Sequence, residues 1–151
     1  MWKQKQSILL SIVCTRAVIA IGLVVSVGLP FLATCGFFAE RYLIPAGAVK
    51  GLLVLFYLCA VPAFILLLTL DSLLSGIRQG LVFVERNVRL LRRISWCCFA
   101  CFAILVVGGF YVSIVFVFLG VIAGFFGLIL RVVKNVIQAA VALKDENDFT
   151  I

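Results

Sequence analysis

Hydrophobic positions in this chain come in long uninterrupted runs separated by short charged segments, rather than alternating with polar ones. The longest run, Ile94 to Leu130, holds thirty-seven residues with no charged side chain. About 20 apolar residues carry one helix across a bilayer. The run therefore predicts two transmembrane helices, and Gly108-Gly109 is its turn candidate. That gives spans of about 94–109 and 111–131. Gly51 to Leu70 is a further charge-free span, assigned as 51–71, with Pro62 expected to kink it and Asp71 at its inner end. The first apolar segment, about 8–38, contains Arg16 and Pro30. A span starting at Ile8 would bury Arg16 about 12 Å deep, an expensive position. A start at Ala17 is preferred, with a helical lead-in whose wetter stripe is Lys3, Ser7, Ser11 and Thr15. Glu40, Arg41, Pro45 and Gly47 mark Ala39 to Lys50 as a loop.

Two segments switch to an amphipathic pattern. After a turn opened by Gly76 and Gly80, residues 81–93 place Phe83, Val84, Val88 and Leu91 on one side of a helix and Arg86, Arg89 and Arg93 on the other. This predicts a basic helix on the membrane surface that feeds the third span. Beyond Leu130, Val133, Val136, Ile137 and Val141 oppose Arg131, Lys134 and Gln138. The fourth helix should thus continue as a stalk into the tail, 132–151. The fold expected is all-α: one integral membrane four-helix bundle with an amphipathic helix between spans 2 and 3 and a helical C-terminal stalk.

Composition agrees, with 66% hydrophobic residues and a mean hydropathy of +1.32 against about 45–50% apolar residues in soluble domains. The net charge of +7 reads as a topology signal rather than a nucleic-acid surface, so no direct nucleic-acid contact is expected. Eleven of the thirteen Lys and Arg residues fall in the N-terminal segment, around Arg78–Arg93, or after Leu130. Four spans bring these three regions to one side. The positive-inside rule makes that side cytoplasmic, with both termini there. Histidine is absent, which removes the commonest general base and metal ligand. No enzymatic activity and no cofactor is expected.

Candidate sites follow from the exceptions to this pattern. Arg16 and Asp71 are the ionisable groups nearest the membrane interior and are placed to pair across two helices, as a structural contact or as part of an ion path. Gly120-x-x-x-Gly124 lets a second backbone approach closely, inside the bundle or at a homo-oligomer seam. Cys98-x-x-Cys101 has the spacing of a thiol redox pair, but lies toward the cytoplasmic end, away from the oxidising side. The face of Arg86, Arg89, Arg92 and Arg93 should attract anionic lipid headgroups. It is also suited to carboxylates, including those of the tail, Asp145, Glu146 and Asp148.

Two stretches resemble a known family. Gly80-x-x-Phe83-x-x-x-Asn87-x-x-x-Leu91-Arg92-x-Ile94 and Leu143-Lys144-x-Glu146-Asn147-Asp148-Phe149-Thr150-Ile151 resemble the small bacterial four-span membrane proteins of unknown function of the DUF2975 type, to which the YoaS-like proteins belong. Phe149 stands where that pattern leads one to expect Leu. The resemblance implies a protein without established enzymatic activity, often encoded beside a small helix-turn-helix regulator, and so a membrane-bound partner of a transcription factor. A sensory or regulatory role through the cytoplasmic surface is the leading expectation. A small transporter, channel or immunity-type protein using Arg16 and Asp71, and a membrane thiol oxidoreductase using Cys98 and Cys101, are the alternatives.

Overall fold

The computed structural model describes residues 2–35, 46–80, 82 and 84–148. They form four helices: α1 (Trp2–Thr34), α2 (Ala46–Arg78), α3 (Glu85–Val112) and α4 (Ile114–Asp148). All four are long and apolar enough to cross a membrane. Their charge-free parts, 17–34, 51–70, 94–112 and 114–130, are each about 26–30 Å long at helical rise, which matches a hydrocarbon core of about 30 Å. Chain order makes neighbouring helices antiparallel, so Arg16, Asp71, Arg93 and Arg131 close these parts at one common end. This is the basic end of the molecule.

The helices overshoot that slab. α1 runs unbroken through Arg16, so the lead-in and the first span are one helix; residues 36–38 lie outside the described residues. α2 continues past Asp71 to Arg78. The basic segment 81–93 is no separate surface helix: from Glu85 it is the first part of α3, while Leu81 and Phe83 lie outside the described residues. Its apolar side faces protein instead of lipid. Leu91 and Ile94 are 4% and 2% exposed, in a cluster with Leu73 of α2 and Cys98 of α3, against which Leu130 and Ile137 of α4 pack. The stalk is held in the same way, with Val141 buried, and stays helical to Asp148. Removing these side chains from water stabilises by roughly 1.5–3 kcal/mol each, a driving force that is missing between helices in lipid.

The α2–α3 turn is locked at both sides. Gly80 adopts φ +82° and donates its N–H to the Ile77 carbonyl at 3.0 Å, a left-handed position that suits glycine. Asn87, 3% exposed, donates from Nδ2 to the Val82 carbonyl at 2.9 Å. Gly76 stays helical and lets the Asn87 side chain lie 3.5 Å from where a Cβ would be.

The turn expected at Gly108-Gly109 lies elsewhere. α3 passes through both glycines, and the chain reverses at Ser113, whose extended backbone donates its N–H to the Gly109 carbonyl at 2.9 Å. The glycines serve close approach: a Cβ on Gly108 would overlap Leu55 of α2, and one on Gly109 would sit 2.8 Å from the backbone nitrogen of Val117 in α4. A one-residue connection folds α4 directly onto the end of α3, and a side chain there would bar it. Gly120, Gly124 and Gly127 continue the seam along α4, facing Phe102, Leu105 and Cys98 of α3.

Packing follows chain order, α4 on α3, α3 on α2 and α2 on α1. α1 is held by fewer contacts, one of which repairs a backbone defect. Pro30 inside α1 has no N–H for the Ser26 carbonyl four residues earlier. Tyr57 of α2 donates its hydroxyl to that carbonyl at 2.6 Å, which an apolar medium makes valuable.

Three variants have defined outcomes for thermal unfolding in detergent. Gly124→Leu must displace the Phe102 ring, 3.0 Å from a Cβ there, and should cost about 1–3 kcal/mol. Gly28→Ala, with nothing within 4 Å, should be neutral or stabilise by up to about 1 kcal/mol; equal losses for both would contradict the α3–α4 seam. Asn87→Ala strips the Val82 carbonyl of its donor and should lower stability by about 1–3 kcal/mol, a loss that an unchanged melting midpoint would refute.

Candidate functional site

The basic end is built from the overshoots of α2, α3 and α4. Because Leu91 and Ile94 turn inward, helical geometry turns Arg86, Arg89, Arg92 and Arg93 outward, and all four are exposed. Arg86 donates from Nη2 to Ser72 Oγ of α2 at 3.1 Å. Arg89 and Arg92 border a groove of about 360 Å³ between α3 and the stalk, with Glu85, Gln138 and Val141. The structure thus aligns Arg89 and Arg92 along a cleft. Arg93 lies next to the start of the slab.

The acidic tail is carried by the last turns of α4, with Glu146 exposed. The side chains of Asp145 and Asp148 lie outside the described residues. The groove ends at Glu85, Val141 and Ala142, so α4 carries the backbone of its acidic segment past the first turn of α3.

Arg16 and Asp71 are brought together: Arg16 Nε donates to Asp71 Oδ1 at 3.0 Å. Arg16 is 65% exposed and Asp71 25%, and each stands at the end of the charge-free part of its helix. In this position the pair ties α1 to α2, and exposed pairs contribute about 0–1 kcal/mol. The hydroxyls nearby are satisfied along their own helices: Thr15 donates to the Ser11 carbonyl at 2.8 Å, Ser11 to Ser7 at 3.1 Å and Thr69 to Ile65 at 2.6 Å. This is how polar side chains are accommodated in apolar surroundings.

Cys98 and Cys101 diverge in their contacts. Cys98 packs in the core, its Cβ 3.1 Å from where a Cβ on Gly127 would be. Cys101 instead faces Cys59 of α2. Both cysteines are free thiols. Cys59 escaped the sequence reading because no local spacing links it to a residue one helix away.

Ser95 and Tyr57 were also missed. Ser95 is buried and donates to the Gly127 carbonyl at 2.9 Å, a bond that fixes the register of α3 against α4. Nothing in the sequence around Ser95 signals it. For Tyr57 the signal was Pro30, whose missing N–H calls for an outside donor at Ser26.

The site therefore offers exposed guanidinium groups over a rigid, buried support, at the end of a four-helix membrane protein. No curated protein and no solved structure matches the chain. The model of a family described as a protein of unknown function, DUF2975, matches residues 33–151, which takes in α2, α3, α4 and the whole of the groove. By that match, the chain belongs to the DUF2975 family.

Proposed function

We propose that this protein is a non-enzymatic, multi-pass protein of the cytoplasmic membrane whose basic end lies in the cytoplasm and docks a soluble regulatory partner. The observation that carries the reading is the groove between α3 and the stalk, where Arg89 and Arg92 stand exposed beside Gln138. The buried cluster beneath it fixes the stretch of α3 that carries both side chains, and arginine forks suit the oxygens of carboxylates. A partner with an acidic face fits this chemistry, and the resemblance noted above makes a small helix-turn-helix regulator the first candidate. The acidic segment of α4 lies at the outer end of the groove and sets the local charge that the partner meets.

A transport role finds less support. The ionisable pair Arg16–Asp71 stands at the ends of the charge-free parts of α1 and α2 rather than within them, and the hollows between α2 and α3, about 690 and 630 Å³, are lined mainly by apolar residues such as Val54, Leu58 and Ile104.

The full chain, extracted in detergent and used to capture soluble proteins from its own cells, tests the proposal. Wild type should retain a soluble partner, Arg89→Ala with Arg92→Ala should reduce its recovery at least tenfold, and truncation after Lys144 should change it. Recovery unaffected by the arginine variants would overturn the docking surface. Asp71→Asn should leave recovery within twofold of wild type and should not alter ion flux in liposomes. Flux present in wild type and abolished by that variant would establish the transport reading instead.

A further inference from the structure

A second hollow, separate from the docking groove, lies nearer the slab between α3 and α4. It measures about 180 Å³ and is lined by Arg92, Ser95, Trp96, Arg131 and Lys134. Three cations thus converge from two helices. Their meeting is set by the buried Ser95–Gly127 hydrogen bond: Arg92 lies one turn from Ser95 toward the basic end of α3, and Arg131 one turn from Gly127 toward the same end of α4. Lys134 follows Arg131 by three residues, on the same face. The Ser95 hydroxyl donates this hydrogen bond to the Gly127 carbonyl and so ties the two helices together beside the pocket.

Arg92, Arg131 and Lys134 have no carboxylate partner among the described residues. Cations held together without a counter-charge repel one another, and a bound anion removes that cost. Arginine forks suit the oxygens of a phosphate, and lysine adds a point charge. The depth of the hollow identifies the source of that phosphate. Arg131 closes the charge-free part of α4 and Trp96 lies two residues inside that of α3, so the pocket stands where the phosphates of one leaflet lie. Trp96 is 63% exposed and packs edge-on against Phe99 at 6.4 Å, an aromatic wall typical of the membrane interface. Basic pockets between transmembrane helices receive anionic headgroups by this chemistry.

We infer that Arg92, Arg131 and Lys134 form a binding site for the headgroup phosphate of an anionic phospholipid, with the acyl chains running past Trp96 along the α3–α4 seam. The lipid then screens the three cations and clamps the two helices at the level where they leave the slab. The site shares Arg92 with the docking groove, but Arg131 and Lys134 belong to it alone, so variants of these two test it separately.

The test uses the purified full chain in a neutral detergent, titrated with phosphatidylglycerol, with phosphatidylcholine and with inorganic phosphate, and read by thermal stabilisation and by lipid retained in native mass spectrometry. Phosphatidylglycerol should be retained at least tenfold better than phosphatidylcholine. Arg131→Gln with Lys134→Gln should remove that preference, Arg131→Lys should keep most of it, and Arg78→Gln, at the basic end but outside the pocket, should leave it intact. A preference unchanged in the double variant would overturn the site. Stabilisation by inorganic phosphate equal to that by the lipid would assign it to a soluble phosphate and overturn the lipid assignment. A second measurement leaves the cations untouched: in Trp2→Phe, Trp96 becomes the sole tryptophan, and bromine-labelled phosphatidylglycerol should quench it at several-fold lower mole fraction than labelled phosphatidylcholine. Equal quenching by the two lipids would refute the preference even if the double variant did not fold.

Discussion

The similar length of the four charge-free segments is the constraint from which the rest of the structure follows. Each helix must satisfy its own backbone across about 30 Å of hydrocarbon, and each charged residue must stay outside that depth or find a partner. Arg16, Asp71, Arg93 and Arg131 accordingly fall at one level. Inside the slab, lipid offers apolar side chains nearly what a protein neighbour offers, so burial there brings little. Beyond it, water restores the hydrophobic driving force. Val88, Leu91 and Val141 are buried at the basic end, while much of the slab surface stays open to lipid.

Different devices join the helices at different depths. α3 and α4 approach by omission of side chains, at Gly109, Gly120, Gly124 and Gly127, because dispersion between closely packed surfaces is what remains when the hydrophobic effect is absent. α1 is tied to α2 at two levels by polar contacts, the Arg16–Asp71 pair at the slab boundary and the Tyr57–Ser26 bond deeper in. The second is the stronger constraint. A carbonyl left without a donor in hydrocarbon costs several kcal/mol by rough transfer estimates, whereas an exposed ion pair contributes about 1 kcal/mol or less. α1 is also the helix that lies almost wholly before the matched family region, which begins at residue 33.

The number and order of the spans were legible because charge interrupts hydrophobicity at one regular depth. The limits of the helices were not, since a helix does not stop where its apolar run stops: α2 and α4 continue for two turns and more on amphipathic sequence that finds protein to pack against. Gly108-Gly109 was read as a turn because glycine serves both reversal and close approach, and only the position of Leu55 and Val117 separates the two uses. Arg16 and Asp71 could be matched from sequence since both mark the same boundary. Arg131 and Lys134 could not be joined to Arg92, because their meeting depends on the register set by Ser95 and Gly127, residues on different helices with no local pattern between them.

The residues that carry the family resemblance sort by what they do in the fold. Gly80 makes the left-handed turn, Asn87 holds the Val82 carbonyl, and Leu91 and Ile94 fill the buried cluster. These four specify how α3 starts and how it seats against its neighbours. Arg92 is different. It is exposed, it caps no backbone group, and it borders both the groove shared with Arg89 and Gln138 and the hollow shared with Arg131 and Lys134. A long, flexible cation at that point loses side-chain entropy if it is ordered and gains no protein carboxylate among the described residues in return. In the two proposals that cost is offset from outside the helix pair, by a headgroup phosphate in one hollow and by a partner's carboxylates in the other.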